Sequence, residues 1–289
     1  MGYGSYTAGD WAKLRKSRGL DTASTEQIFT KREIDPRCDP KFVHMREARD
    51  SEDHPKSTPI MIGVDVTGSM GYLSTQIVKE SLNDLMQSLY SGGFIRDPQL
   101  LFAAIGDVVD QAPLQVTQFE SDIRIAEQLM DLWLEGRGAD APEDYELLWY
   151  FAARHTDIDS FNKRGEKGFC ISIGDAGCHS TLAADAVKGI FGESVPHDLS
   201  SADLATEAAS KYELFHIMIG DSPQGWDKLL PGRVLLVKKS DIKYLPEIII
   251  TIMQIARGGN KENALSQWGL LARQVVEQAI SLLKIDYHF

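Results

Sequence analysis

The sequence predicts an α/β protein: a doubly wound, mostly parallel, Rossmann-like sheet with helices on both faces. Three observations predict it. From Pro59 onward short apolar runs alternate with stretches of helical period, the pattern of strand-helix units wound into one sheet. Four of those runs end on an aspartate, directly or after a glycine, which collects carboxylates at one rim of the sheet. The third is size: 289 residues with 43% hydrophobic content supply one well-filled core rather than two.

The first run, Ile60-Met61-Ile62-Gly63-Val64, ends at Asp65. A helix of about twenty residues is expected next, with Leu73, Ile77, Leu85 and Leu89 on one face and a break at Gly92-Gly93. The second run, Leu100-Leu101-Phe102-Ala103-Ala104-Ile105, ends at Gly106-Asp107, and residues 114–119 are short and alternating enough for an edge strand. A helix over about 122–134 leads into the loop Gly136-Arg137-Gly138-Ala139-Asp140, and another covers about 142–154. Further buried strands are expected at 169–173, ending at Gly174-Asp175, and at 214–219, ending at Gly220-Asp221. Val234-Leu235-Leu236-Val237 is the last strand. Two helices close the chain: one over about 241–256, and an amphipathic one over about 260–283 with Leu265, Trp268, Ala272, Val275, Ala279 and Leu282 at three-to-four spacing.

Ahead of this pattern, residues 1–57 are polar and punctuated by Pro36, Pro40 and Pro55, with little core material beyond Trp11, Leu14, Ile28 and Phe42. They read as an extension packed on the core, in which Phe42-Val43-His44-Met45 supplies an edge strand and residues 46–56 an exposed loop. The expected organisation is thus an extension (1–57), a main domain (58–258) and a C-terminal amphipathic helix (259–289).

Composition narrows the function classes. Forty-two acidic against 30 basic side chains give a formal charge of −12, a field that repels polyanions and argues against nucleic acid as a partner. Cys38, Cys170 and Cys178 form neither an even disulfide framework nor a zinc-finger pair, which favours a reducing compartment. Residues 1–20 hold no apolar run of signal-peptide length and no stretch reaches the length of a bilayer span, so a cytoplasmic protein without membrane attachment is expected.

Asp65-Val66-Thr67-Gly68-Ser69 follows a buried strand, precedes a helix, and matches the pattern D-x-S/T-x-S. Magnesium demands hard oxygen ligands, and a carboxylate plus two hydroxyls on alternate positions of a tight turn point three oxygens at one place. The sequence here resembles the von Willebrand A family, whose metal-ion-dependent adhesion site (MIDAS) opens with this strand-end motif and is completed by two later loops. The resemblance spans about 180 residues and implies that Asp175, at the end of its strand, completes the site.

In the middle loop the chain departs from the family, which usually offers a threonine there. Gly136 to Glu143 contain no hydroxyl, and a resembling subset with Gly-Gly-Gly-Asp-x-Pro-Glu makes Asp140 the candidate substitute. The competing reading of Asp140-Ala141-Pro142-Glu143 is a capping box, with the aspartate as helix N-cap and the proline in the first turn. Asp107 and Asp221 also close strands, an ordinary place for a polar residue.

The signatures of catalysis are incomplete. A nucleophile elbow lacks its first glycine around Ser69, and a strand-end aspartate nucleophile lacks its partner acid, because Thr67 stands two positions on. Neither a P-loop nor a dinucleotide fingerprint is present. Catalysis is left open and the reading leans against it. The resemblance implies a metal-dependent protein-protein interaction domain, an adaptor or scaffold that binds Mg²⁺ (or Mn²⁺) through Asp65, Thr67, Ser69, Asp140 and Asp175. It would grip an acidic residue of a partner protein, as such domains do in ATPase- or kinase-associated machinery. The runner-up is a metal-dependent hydrolase of a phosphorylated or acidic substrate, built from Asp65, Asp107, Asp140 and Asp175 with His179 as base.

Overall fold

The computed structural model describes residues 4–68, 70–136 and 142–285. Six strands form the central sheet: β1 (Thr58–Asp65), β2 (Pro98–Ile105), β3 (Leu114–Val116), β4 (Gly168–Gly174), β5 (Tyr212–Ile219) and β6 (Val234–Val237). Their order across the sheet is 3-2-1-4-5-6, all parallel except the short edge strand β3, which runs antiparallel to β2. Strands covered on both faces cannot alternate polar with apolar, and every residue of β1, β2 and β4 is buried.

Two cores lie on opposite faces of the sheet. Ile60, Ile62 and Val64 of β1 point to one, with helices Leu82–Ser91 and Leu245–Ala256 above them; Met61 points to the other, beneath helices Glu146–Arg154 and Ser201–Ala209. The predicted fold class therefore holds. So does each strand position of the sheet, with β3 at the edge as its brevity implied.

The helices depart further from expectation. The long helix after Asp65 is present over residues 71–91 but carries a π-helical turn at Ile77–Ser81, where the Ser81 hydroxyl is buried without a partner. The closing amphipathic segment is not one helix: Lys261–Ser266 and Leu270–Ala279 are separated at Gly269, followed by a 3-10 turn. Leu265, Val276 and Ala279 bury against the chain's own core, and Trp268 Nε1 donates to Thr251 Oγ1 at 2.8 Å, whereas Leu282 is left largely exposed.

The N-terminal residues also differ in detail. Phe42 and Met45 are exposed, and the strand lies further on, at Arg46–Ala48, pairing in parallel with Thr156–Ile158 outside the central sheet. Residues 46–56 are not a loose loop: Ala48 and His54 are buried, and Arg49 joins Glu47, Asp157 and Asp159 in an ionic network. Trp11, Leu14, Leu20 and Ile28 share the core that contains the Leu82–Ser91 helix.

Candidate functional site

In this strand order the winding reverses between β1 and β4, the switch point beyond whose carboxyl ends an open parallel sheet binds its ligands. Asp65 is the last residue of β1 and is wholly buried. Its Oδ1 accepts from the Thr67 backbone N–H at 2.9 Å and from Thr67 Oγ1 at 2.6 Å. Its Oδ2 accepts from the Tyr145 hydroxyl at 2.7 Å. Burial raises the Asp65 carboxyl above its usual range, opposed by the bonds from Thr67 and Tyr145.

That tyrosine reaches Asp65 because β4 ends in a glycine. A Cβ on Gly174 would lie 1.8 Å from Tyr145 Oη and 2.9 Å from Asp65 Cβ, so no larger residue fits while the bond is made. Asp175 follows, half-buried, directly after the end of β4, and its charge is felt at Asp65, Tyr72 and Tyr145. Its carbonyl accepts from Gln224 Nε2 at 3.0 Å, and that of Ala176 from Trp226 Nε1 at 2.9 Å, fixing the loop from below.

Of the five residues the sequence nominated, the structure brings Asp65, Thr67 and Asp175 together. Ser69 and Asp140 lie outside the described residues. The capping-box reading of 140–143 fails on the helix itself, which starts at Glu146 with Tyr145 as N-cap. Glu143 instead joins a short parallel bridge to Cys178: its N–H donates to Gly177 O at 2.9 Å, and its carbonyl accepts from His179 N at 3.2 Å.

This bridge carries a group of carboxylates that sequence reasoning missed. Glu143 is 7% exposed, its Oε2 has no partner, and burial together with the nearby Asp65 pushes its carboxyl up to about 8. Glu146 is fully buried, and burial plus Asp144 raise it to about 9; the Cys178 thiol donates to its Oε2 at 3.3 Å. Asp144 accepts from Val108 N at 2.7 Å. Asp107 is spent on its own turn, its Oδ1 accepting from Val109 N at 3.0 Å, and Asp221 is exposed. Among the described residues, no three His, Cys, Asp or Glu side chains form a metal-holding group by themselves.

The donor chemistry at this rim nevertheless fits a hard divalent cation. Asp65, Thr67 and Glu143 present oxygen only, and one buried carboxylate oxygen is left unsatisfied.

No family model matches the chain, and no curated protein matches it. Solved structures similar to it include the pilus adhesin SpaC of Lactobacillus rhamnosus GG in its open conformation (10% identity, TM-score 0.43, covering 81% of this chain and 31% of that one). Proximal thread matrix protein 1 of the mussel byssus is similar at 11% identity and TM-score 0.45, over 71% of this chain and 49% of that one. A von Willebrand factor type A protein from Catenulispora acidiphila is similar at 15% identity and TM-score 0.34, over 66% of this chain and 42% of that one. The chain spans a third to a half of the structures it resembles, and likenesses this distant carry no argument about the site. Among the described residues no helix is long and apolar enough to cross a membrane.

Proposed function

We propose that the chain is a von Willebrand A-type interaction domain that binds Mg²⁺, or Mn²⁺, at the rim between β1 and β4 and uses it to hold an acidic group of a partner protein. The observation that supports this most is the Asp65-Thr67 turn. A fully buried carboxylate and a hydroxyl sit at the point where strand order reverses, and Asp175, directly after the neighbouring strand, is close enough for its charge to be felt at Asp65.

Asp65, Thr67, Ser69, Asp140 and Asp175 would hold the cation, and the bound ion supplies a positive pole with a coordination position open to a partner's oxygen. The protein's own contribution is rigidity. Tyr145 and the Thr67 backbone fix the Asp65 carboxylate from both sides, so the turn is organised before a ligand arrives. The role that follows is that of an adaptor or scaffold in the cytoplasm, within ATPase- or kinase-associated assemblies.

Calorimetric titration of Mg²⁺ and Mn²⁺ into metal-stripped protein tests this, beside Asp65→Ala and Asp140→Ala. Saturable binding lost in Asp65→Ala supports the reading, and loss in Asp140→Ala would assign the middle loop. Absence of binding in the wild type overturns it. Turnover of a phosphate ester by the metal-loaded protein, abolished by Asp65→Ala, would replace the adaptor with the hydrolase.

A further inference from the structure

Thr67 has one hydroxyl hydrogen and two carboxylates to face. Its Oγ1 donates that hydrogen to Asp65 Oδ1 at 2.6 Å, and the Glu143 carboxylate lies close enough for its ionisation to be influenced by both Thr67 and Asp65. One proton cannot serve both. The shortfall falls on Glu143, whose Oε2 is buried with no partner in a side chain only 7% exposed. Nor is this side chain on a loose loop. Its backbone is bonded to Gly177 and His179 and bridged to Cys178, so the carboxylate stands between the turn after β1 and the loop after β4. Among the described residues no lysine or arginine pairs with it, and a buried carboxylate oxygen without a partner is costly unless it meets a proton or a cation.

We propose that Glu143 is a direct oxygen ligand of the cation bound at the Asp65-Thr67 turn, the middle-loop ligand for which the sequence offered only Asp140. This rests on the metal-binding reading above. Thr67 then keeps its proton for Asp65 while its lone pairs remain available to the ion, and Glu143 Oε2 gains the partner it lacks. With a carboxylate from the second loop, the site holds its cation more firmly and pulls less on an acidic partner than one completed by a neutral hydroxyl.

The test is calorimetric titration of Mn²⁺ into the metal-stripped full chain, comparing wild type with Glu143→Gln, Asp65→Ala and, as a control for loss of one exposed rim charge, Asp221→Asn. Melting of each metal-free variant is measured first. Glu143→Gln replaces a carboxylate with one unpartnered buried oxygen by a neutral group of the same shape, so it should melt no lower than wild type without metal and gain less from Mn²⁺. Its affinity should fall about tenfold or more, against less than about threefold for Asp221→Asn. Should Glu143→Gln not fold, Glu143→Asp keeps the charge but draws it back by one methylene, and the same tenfold loss is expected. Wild-type affinity in the Glu143 variant that folds, or a loss no greater than that of Asp221→Asn, overturns the role of Glu143 and leaves the site standing if Asp65→Ala still abolishes binding. No saturable binding by the wild type overturns both.

Discussion

Two acidic clusters in this molecule are built in opposite ways. Beneath the N-terminal segment, Glu47, Asp50, Asp157 and Asp159 are met by Arg49, Lys163 and Arg164: Arg49 bonds Glu47 at 2.6 Å and Asp159 at 3.1 Å, Lys163 bonds Asp159 at 2.7 Å, and Arg164 bonds Asp50 at 2.6 Å. Burial would raise the Asp159 carboxyl, yet the bonds from Lys163, the Asp50 backbone and Arg49 hold it below its ordinary value. At the sheet rim, Asp65, Glu143, Asp144 and Glu146 are all raised by burial, and among the described residues no lysine or arginine pairs with them. The first cluster contains its own counter-charge and is a clasp that fastens the extension to the domain. Among the described residues the second meets no lysine or arginine, only His179 easing the charge on Asp144, and that shortfall of positive charge is what favours the proposed cation.

The contrast breaks most severely at Gly174. Gly174→Ala drives a methyl into Tyr145 and should cost about 3 kcal/mol in chemical denaturation, because neither the tyrosine nor Asp65 has room to yield. On the clasp side, Arg49→Ala strips the guanidinium from Asp157 and the buried Asp159. We expect a loss of about 2 kcal/mol, less than for a fully buried pair because Arg49 is 29% exposed. An unchanged midpoint would mean the clasp does not fasten anything.

A finer probe is Tyr145→Phe, which removes one bond to Asp65 and leaves the ring in place. It should lower stability by about 1 kcal/mol without metal, and by less once Mg²⁺ is bound if the ion takes over part of the hydroxyl's work.

The smallest effect is a slope. Glu146 titrates at about 9 in the fold against 4.5 when unfolded, so between those values the folded chain binds the extra proton. Stability of the metal-free protein should therefore be highest below about pH 4.5 as far as this group is concerned, and decline as pH rises towards 9. Glu146→Gln should flatten that decline in thermal melts across pH. In the clasp the sign is reversed: Asp159 is depressed, and its contribution is lost as pH falls through its folded value.

The clasp and the rim were not equally legible. Strands β1, β2, β4 and β5 announce themselves as apolar runs ended by aspartate, and the Asp65-Thr67 turn was visible because a strand end, an acid and two hydroxyls fall at fixed spacing. Glu143 was not, since Pro-Glu before an apolar run reads the same whether it opens a helix or precedes one. What moved the start to Glu146 is the pairing of Glu143 with Cys178, a contact 35 residues away in the chain that no local pattern encodes. Tyr145 was hidden for a similar reason: in the run Tyr145-Glu146-Leu147-Leu148 it looks like core, and only the absence of a side chain at Gly174 lets its hydroxyl reach Asp65. In the sequence the clasp reads as a loop because its charges are dense; their partners, on residues 157–164, turn solvated charge into buried structure. Helices Ala184–Phe191 and Ser201–Ala209 were likewise unassigned from sequence and take their place by packing on the second face of the sheet.

The most direct measurement is a crystal structure of the chain grown with Mn²⁺, with anomalous scattering recorded at the manganese edge. A single strong peak within bonding distance of Thr67 Oγ1 and Glu143 Oε2, beside Asp65 and Asp175, is the predicted result. A rim without manganese at millimolar Mn²⁺, or a peak seated elsewhere, would contradict it.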